Sequence, residues 1–99
     1  MLLSGVVGRA EDDDFLTPSP FVQATAAFEQ GDVARAEVLA QPLAEGDAAT
    51  AEACALLGQV RQRQKRPAEA VTQFERAVAK RPASAQLRSL LGLALLDQA

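Results

Sequence analysis

The chain has 99 residues, of which 48% are hydrophobic and only 4% aromatic, and its net charge is −3. This length fits one domain, and an alanine-rich composition without clusters of strand-forming residues predicts an all-α fold. Because the chain has one Cys and no His, Tyr or Trp, we expect no enzymatic activity, no cofactor and no metal site.

Residues 1–16 predict an acidic N-terminal tail outside the folded domain. Residues 2–7 form a short apolar stretch, and residues 11–14 are four consecutive acids followed by Phe15 and Leu16. One interpretation is a flexible tail with a solvated charge run. The alternatives are that Phe15 and Leu16 form a short linear motif, or that residues 2–7 dock on an apolar groove in this molecule or another.

Two helices are predicted between the tail and residue 47. Ser19 is an expected N-cap, followed by a proline at the first helical position, and Gly31 marks the end of that helix. Asp32 is placed to cap the second helix, which Gly46 and Asp47 end before the next helix opens. A proline at position 42 predicts a kink or an early end near residue 41.

Three more helices follow from apolar spacing at i, i+3 and i+4. The first covers residues 50–64, the second begins at Pro67 and ends before Pro82, and the last is capped by Ser84. Gly58 lies inside the first of these, where a glycine costs about 1 kcal/mol, so a neighbouring helix is expected to approach closely there. The predicted packing faces are Ala53, Leu56, Leu57 and Val60; Ala70, Val71, Phe74, Ala77 and Val78; and Leu87, Leu90, Leu91, Ala94 and Leu95.

The spacing of certain residues in the second half of the chain is the most informative motif. These residues are Cys54, Leu57, Gly58, Arg61, Ala70, Phe74, Ala77 and Pro82. The pattern resembles a tetratricopeptide repeat, which runs Trp-x2-Leu-Gly-x2-Tyr, Ala-x3-Phe and Pro over a period of about 34 residues. Here Cys54 and Arg61 replace the two large aromatic residues. Leu-Gly recurs one such period later at Leu91 and Gly92, and Ala36 precedes Ala70 by the same interval.

The resemblance implies a helix-turn-helix solenoid of about five helices in a right-handed superhelical stack. Residues 1–16 would be the tail and residues 17–99 the repeat domain, with repeat one at 17–50, repeat two at 51–84 and the first helix of repeat three at 85–99. Repeat one is degenerate, because Gln23 and Ala24 stand where Leu-Gly is expected. The resemblance also places Cys54 in the interior, where a thiol is inert.

A groove for a peptide is the function that this resemblance implies, lined by the first helix of each repeat. The family's carboxylate clamp for chaperone tails is absent, which argues against an adaptor of that type. The hypothetical groove residues are Phe21, Thr25, Phe28, Glu52, Gln59, Gln62 and Arg63, with Pro18, Glu29, Ala55, Gln86, Ser89, Leu93, Leu96 and Asp97 at the other groove positions of the repeat.

Charge is unevenly distributed along the chain. Residues 1–50 hold two basic and nine acidic side chains, whereas residues 51–99 hold eight basic and four acidic ones. Arg61, Arg63, Lys65 and Arg66 either complement a helix dipole or form a basic patch for an acidic peptide or the acidic end of a second copy. Nucleic acid is a disfavoured partner, because the chain is acidic overall and no aromatic residues accompany the basic ones.

Two classes of function remain open from the sequence. One is a scaffold that binds a peptide or helix of another protein in the concave groove. The other is an assembly module, in which the chain pairs as a homodimer through Leu93 and Leu96 of its last helix, or belongs to a larger protein such as a bacterial enzyme. No apolar run approaches the roughly 18 residues of a membrane span, and no secretory signal is recognisable, so a cytoplasmic protein without a membrane partner is expected.

Overall fold

The computed structural model describes residues 18–46 and 48–98, and every regular element in this part of the chain is an α-helix. The all-helical prediction is confirmed for these residues. Residues 1–17 and Asp47, which include the predicted tail, lie outside the described residues. The five helices are α1 (Pro20–Glu29), α2 (Val33–Leu43), α3 (Ala51–Arg63), α4 (Pro67–Lys80) and α5 (Ala85–Gln98).

The helices begin where side chains can cap them. The side-chain oxygens of Ser19, Asp32 and Ser84 each accept a hydrogen bond from the backbone N–H three residues later, at 3.3, 3.2 and 3.2 Å. These three caps confirm the prediction. Thr50 caps α3 in the same way at 3.0 Å, so that helix starts at Ala51, one residue after the predicted start.

Two helix ends share one turn geometry. Gly31 after α1 and Lys65 after α3 have φ angles of +86° and +64°, in the left-handed region. The N–H of the following residue then bonds to a carbonyl five residues earlier, at 2.9 Å in both turns. The two turns are separated by one repeat period, and so are the first residues of α2 and α4.

The proline in α2 shortens this helix. α2 passes through Pro42 and ends at Leu43, two residues beyond the predicted position, and has 11 residues against 14 in α4. Proline lacks an N–H and disrupts the preceding turn, so the helix does not continue far past it. Gly46, with a φ of +80°, then redirects the chain towards α3.

Helix α3 lies at the centre of the packing. Consecutive helices pack against one another, and α3 also contacts α1 and α5. The short turns between paired helices make them run in opposite directions, so α1, α3 and α5 point the same way. The core consists mainly of alanines, and Phe74 of α4 is its largest fully buried side chain.

The expected close approach at Gly58 is confirmed. A Cβ placed on Gly58 would lie 2.7–2.9 Å from three ring carbons of Phe74, inside van der Waals contact. The missing side chain at Gly58 therefore leaves space for the Phe74 ring, which packs between α3 and α4.

One predicted packing residue of α5 is wrong. Leu87 and Ala94 are buried and Leu90 and Leu91 half-buried, but Leu95 is 48% exposed. Each helical residue is rotated by about 100° from the last, which turns Leu95 away from the face that Ala94 presents to α4. In the described part of the chain no helix covers that side of α5.

Candidate functional site

Helices α1, α3 and α5 together line a cavity of about 240 Å³. It lies near the first turns of the three helices, which are adjacent because the helices point the same way. Four of the seven hypothetical groove residues meet there. The lining consists of Phe21 and Thr25 from α1, Glu52, Ala55, Leu56 and Gln59 from α3, and Gln86, Leu87 and Leu90 from α5.

The cavity combines an apolar floor with a polar rim. Leu56 and Leu87 are buried, and Gln59 and Gln86 add amide groups that can both donate and accept hydrogen bonds. The Thr25 hydroxyl donates to the backbone carbonyl of Phe21 at 2.9 Å, which directs its proton away from a ligand. Such a site can hold an apolar side chain while the amides bind the backbone of an extended peptide.

Glu52 at the rim is already paired. Its Oε2 lies 2.7 Å from Nη1 of Arg81, at the end of α4. Arg81 and the neighbouring Lys80 line an adjacent cavity of about 340 Å³, of which Glu52 is also a wall. The rim of the first cavity is therefore continuous with a cationic surface.

The other three hypothetical groove residues lie near the opposite end of α1 and α3. The Arg63 guanidinium stacks on the ring of Phe28, with Cζ 4.5 Å from the ring centroid. Gln62 lines a separate cavity of about 440 Å³ with Lys65, Pro67 and Asp97. That cavity is larger, but its walls are mostly polar or charged. Four of the seven residues therefore line one cavity, Phe28 and Arg63 form a stacked pair, and Gln62 lines the second cavity.

The predicted basic cluster needs a correction at Arg61, which is buried. Its Nη1 donates to Glu37 Oε2 at 2.5 Å and to Gln64 Oε1 at 2.8 Å, and its Nε lies 3.3 Å from Glu69 Oε1. Gln64 Nε2 also donates to Glu37 Oε1 at 3.0 Å. Arg61 therefore links α2, α3 and α4 in the interior and is not available to a partner.

This network lowers the pKa of the Glu37 carboxyl group. The hydrogen bond from Arg61, and after it the one from Gln64, hold the pKa of Glu37 below its usual value of 4.5. Arg66, another member of the predicted cluster, lies 3.8 Å from Glu69 Oε1. With Arg63 stacked on an aromatic ring, the four cations do not form one open patch.

The last helix presents the clearest exposed apolar surface of the described chain. Leu93 and Leu96, the residues predicted for self-association, are 58% and 72% exposed. Beyond the backbone of its own helix, no described atom lies within 4 Å of the place where a Cβ on Gly92 would be. This side of α5 is open where the equivalent side of α3 is covered.

The described residues contain neither a metal-binding cluster nor a possible membrane span. Among residues 18–46 and 48–98 no three His, Cys, Asp or Glu side chains are grouped to hold an ion. No helix there is both long and apolar enough to cross a bilayer. Cys54 is fully buried, as the repeat pattern implies.

Sequence reasoning missed the role of the α4 end in this site. Glu52 lies in α3 and Arg81 directly follows α4, far along the chain, so no local pattern indicates that they pair. The apolar spacing predicts Leu56, Leu87 and Leu90 as packing residues, and these three also line the cavity. The resemblance to tetratricopeptide repeats implies that α5 lies beside α3, and these two helices are in contact. The chain shows no significant match to any model of a protein family, to any curated protein or to any solved structure.

Proposed function

We propose that this chain is a protein-binding module of the tetratricopeptide kind, a right-handed helical solenoid that holds a peptide or helix of another protein. The support is that α2 and α4, and likewise α3 and α5, begin one repeat period apart and that the left-handed turn recurs at the same interval, together with the contacts of α3 with both α1 and α5. In such a stack the odd-numbered helices form the inner surface, on which an extended partner lies.

The observation that carries the proposal is the cavity of about 240 Å³ between these three helices. An apolar floor gives affinity through burial of a partner side chain, and the amides of Gln59 and Gln86 give orientation. The proposed role is protein binding and not catalysis. The buried single thiol suits a cytoplasmic, reducing compartment.

Peptide titration of a variant whose cavity is filled by a larger side chain tests the proposal. Ala55→Leu would place a larger side chain in the cavity, while the matched Ala34→Leu adds the same group on the exposed side of α2. A peptide selected from a library on the parent chain should bind Ala55→Leu at least about tenfold more weakly and Ala34→Leu unchanged. Helical circular dichroism checks that both variants fold.

A second variant separates binding from packing. Gln59→Ala removes a half-buried amide and introduces no bulk. It should weaken the same peptide, through loss of a hydrogen bond, by about fivefold to tenfold. Equal binding by the parent chain and both cavity variants would contradict this site, and absence of any library ligand would contradict the proposed function.

The exposed face of α5 supports a second candidate, self-association. Leu93 and Leu96 project from this helix, and the open Gly92 would let another helix approach closely. A parent chain that sediments as a dimer with rising concentration, and a monomeric double variant Leu93→Glu and Leu96→Glu, would support a homodimer. A parent that stays monomeric at high concentration would exclude it.

A further inference from the structure

Exposed apolar side chains lie on the first two helices and on the last one. In the described part of the chain, the large apolar side chains that are exposed belong to α1, α2 and α5, and none belongs to α3 or α4. They are Val22, Val38, Leu93, Leu95 and Leu96. The first and last helices have fewer neighbouring helices than α3, so each keeps an apolar surface that another helix could cover.

The open face of α5 is centred on Gly92. Arg88, Gly92 and Leu96 follow one another at i, i+4 and i+8, so they lie along one side of the helix. One repeat period earlier, Gly58 of α3 is in contact with the Phe74 ring of α4, whereas no side chain of the described residues lies against Gly92. The open face of α5 can therefore receive a helix in the way that α3 receives α4.

The outer face of α1 has a similar layout. Val22, Ala26 and Glu29 lie at i, i+4 and i+7, and therefore on one side of the helix. Val22 and Ala26 line an open cavity of about 230 Å³, which can take an apolar side chain. Val22 is 51% exposed, and Glu29 is exposed at the end of α1. Like α5, this helix presents a small residue between an apolar side chain and a charged one, but here the charge is negative.

These two faces match each other when the helices run antiparallel. Taken in opposite directions, the three positions span about 12 Å along α5 and about 10.5 Å along α1. Small residues then lie opposite each other, as do apolar side chains and opposite charges. The three pairs are Gly92 with Ala26, Leu96 with Val22, and Arg88 with Glu29. The two small residues let the helices approach closely, as Gly58 does between α3 and α4.

The charges at the two ends of the described chain favour the same pairing. Residues 18–46 hold one basic and four acidic side chains, a net charge of −3, whereas residues 48–98 hold eight basic and four acidic ones, a net charge of +4. The Arg88 guanidinium donates to the Pro82 carbonyl at 3.2 Å and has further N–H groups for a carboxylate. Contact between unlike ends is attractive, whereas pairing of α5 with α5 would bring like charges together. We propose that the open face of α5 binds the outer face of α1 in a second copy of this chain, antiparallel and head to tail.

This inference deepens self-association, the second candidate function, because it names the surface that covers α5. The two faces are different, and among the described helices α1 and α5 are not in contact. A second copy therefore leaves one face free at each end of the pair, and association continues beyond the dimer as the concentration rises. A mass that stops at the dimer would overturn the head-to-tail arrangement.

Two blocked variants of the full chain test which faces meet. Val22→Glu places a charge in the outer face of α1, and Leu96→Glu places one in the open face of α5; both positions are exposed, so both chains should fold. In sedimentation each variant alone should associate at least about tenfold more weakly than the parent. An equimolar mixture should form a one-to-one dimer, because each chain keeps the face that the other has lost. Helical circular dichroism checks the folding of both.

The results separate this inference from self-association in general. A Val22→Glu chain that associates as the parent does would overturn the head-to-tail contact and leave pairing of α5 with α5. Two weakly associating variants that fail to combine in the mixture would also overturn it. A parent chain that stays monomeric at high concentration would overturn both this inference and self-association.

Charge reversal tests the antiparallel register. Glu29→Arg and Arg88→Glu should each weaken association by about threefold to fivefold. A chain with both changes should regain the affinity of the parent, because the opposite charges are only exchanged. The matched control Glu75→Arg reverses an exposed charge on α4 and should have little effect. A double variant that associates no better than the single variants would overturn the proposed register.

Discussion

Helices α3 and α5 begin one repeat period apart and carry the same Leu-Gly pair, yet they differ sharply in burial. α3 is buried along most of its length, since it packs on α2 and α4 and also contacts α1 and α5. Among the described residues, α5 packs on α4 and contacts α3, and Leu87 and Ala94 are its buried side chains. Equivalent positions therefore become core or surface according to the number of neighbouring helices.

Individual positions make the contrast concrete. Arg61 is 8% exposed in α3, whereas Leu95, at the equivalent position of α5, is 48% exposed. The charged residue is the buried one, because carboxylates of α2 and α4 surround it. Gly58 lies against the Phe74 ring, while no side chain of the described residues lies against Gly92. Side-chain polarity alone would have predicted an exposed Arg61 and a buried Leu95.

Removing the Phe74 ring, which lies against Gly58, should have the largest effect on stability. Phe74 is fully buried, so Phe74→Ala should lower the free energy of unfolding by about 3–5 kcal/mol. Leu95→Ala, a large-to-small change on the open side of α5, should cost much less. Thermal melts followed by helical circular dichroism measure both, and similar melting midpoints for the two variants would contradict the assigned packing.

Weakening the hydrogen bonds of Arg61 in α3 should have the next largest effect on stability. Glu37→Gln should lower the free energy of unfolding at pH 7 by about 1.5–3 kcal/mol, since a hydrogen bond to a charged group is weakened. Glu75→Gln, at an exposed position of α4, is the matched control.

The same carboxylate predicts a pH dependence. Its pKa is lowered in the folded state from the usual 4.5, so its stabilisation is present above pH 4.5 and is lost as the pH falls through the lowered value. Urea unfolding of the parent should therefore show a larger loss of stability between pH 6 and pH 3 than Glu37→Gln shows. A parallel decline in both proteins would mean that Glu37 is not held by Arg61.

Adding a methyl group at the two equivalent glycines should have opposite effects. Gly58→Ala forces a Cβ to within 2.9 Å of the buried Phe74 ring and should destabilise the fold by about 1–3 kcal/mol. Gly92→Ala meets no described atom outside its own helix within 4 Å and should stabilise α5 by about 0.5–1 kcal/mol, because alanine is the better helix former. Urea titration gives both values, and changes of the same sign would remove the distinction between the two sites.

A substitution in the turn after α3 should give the smallest change in stability. Lys65 adopts a φ of +64°, which glycine occupies without a steric cost, so Lys65→Gly should raise the free energy of unfolding by about 0.5–1 kcal/mol. Gly31→Ala in the equivalent turn after α1 should lower it by a similar amount. A destabilised Lys65→Gly would argue that the two turns are not equivalent.

The sequence predicted the helices well because their ends depend on local chemistry. Caps at Ser19, Asp32 and Ser84, and the interruption at Pro42, involve residues within one or two turns of the helix end. The left-handed turn at Lys65 was missed, although its position one repeat period after Gly31 was a usable signal.

The site was less predictable because its contacts are distant in the chain. Arg61 meets Glu37 of the preceding helix, and Arg81 meets Glu52 from the far end of the following one, so neither pair leaves a local pattern. Burial of Arg61 took one cation out of the predicted basic cluster. The hypothetical groove residues are what the resemblance to tetratricopeptide repeats implies, but their separation between the two ends of α1 and α3 depends on which side chains reach one another.

The most direct test of the contrast between α3 and α5 is a nuclear Overhauser spectrum of the parent chain. Phe74 ring protons should give strong cross-peaks to the α-protons of Gly58, whose resonances the ring current should displace. The α-protons of Gly92 should show no aromatic cross-peak and an ordinary helical shift. Cross-peaks from Phe74 to a different part of α3, or an aromatic contact at Gly92, would contradict the repeat register on which the groove and its proposed ligand depend.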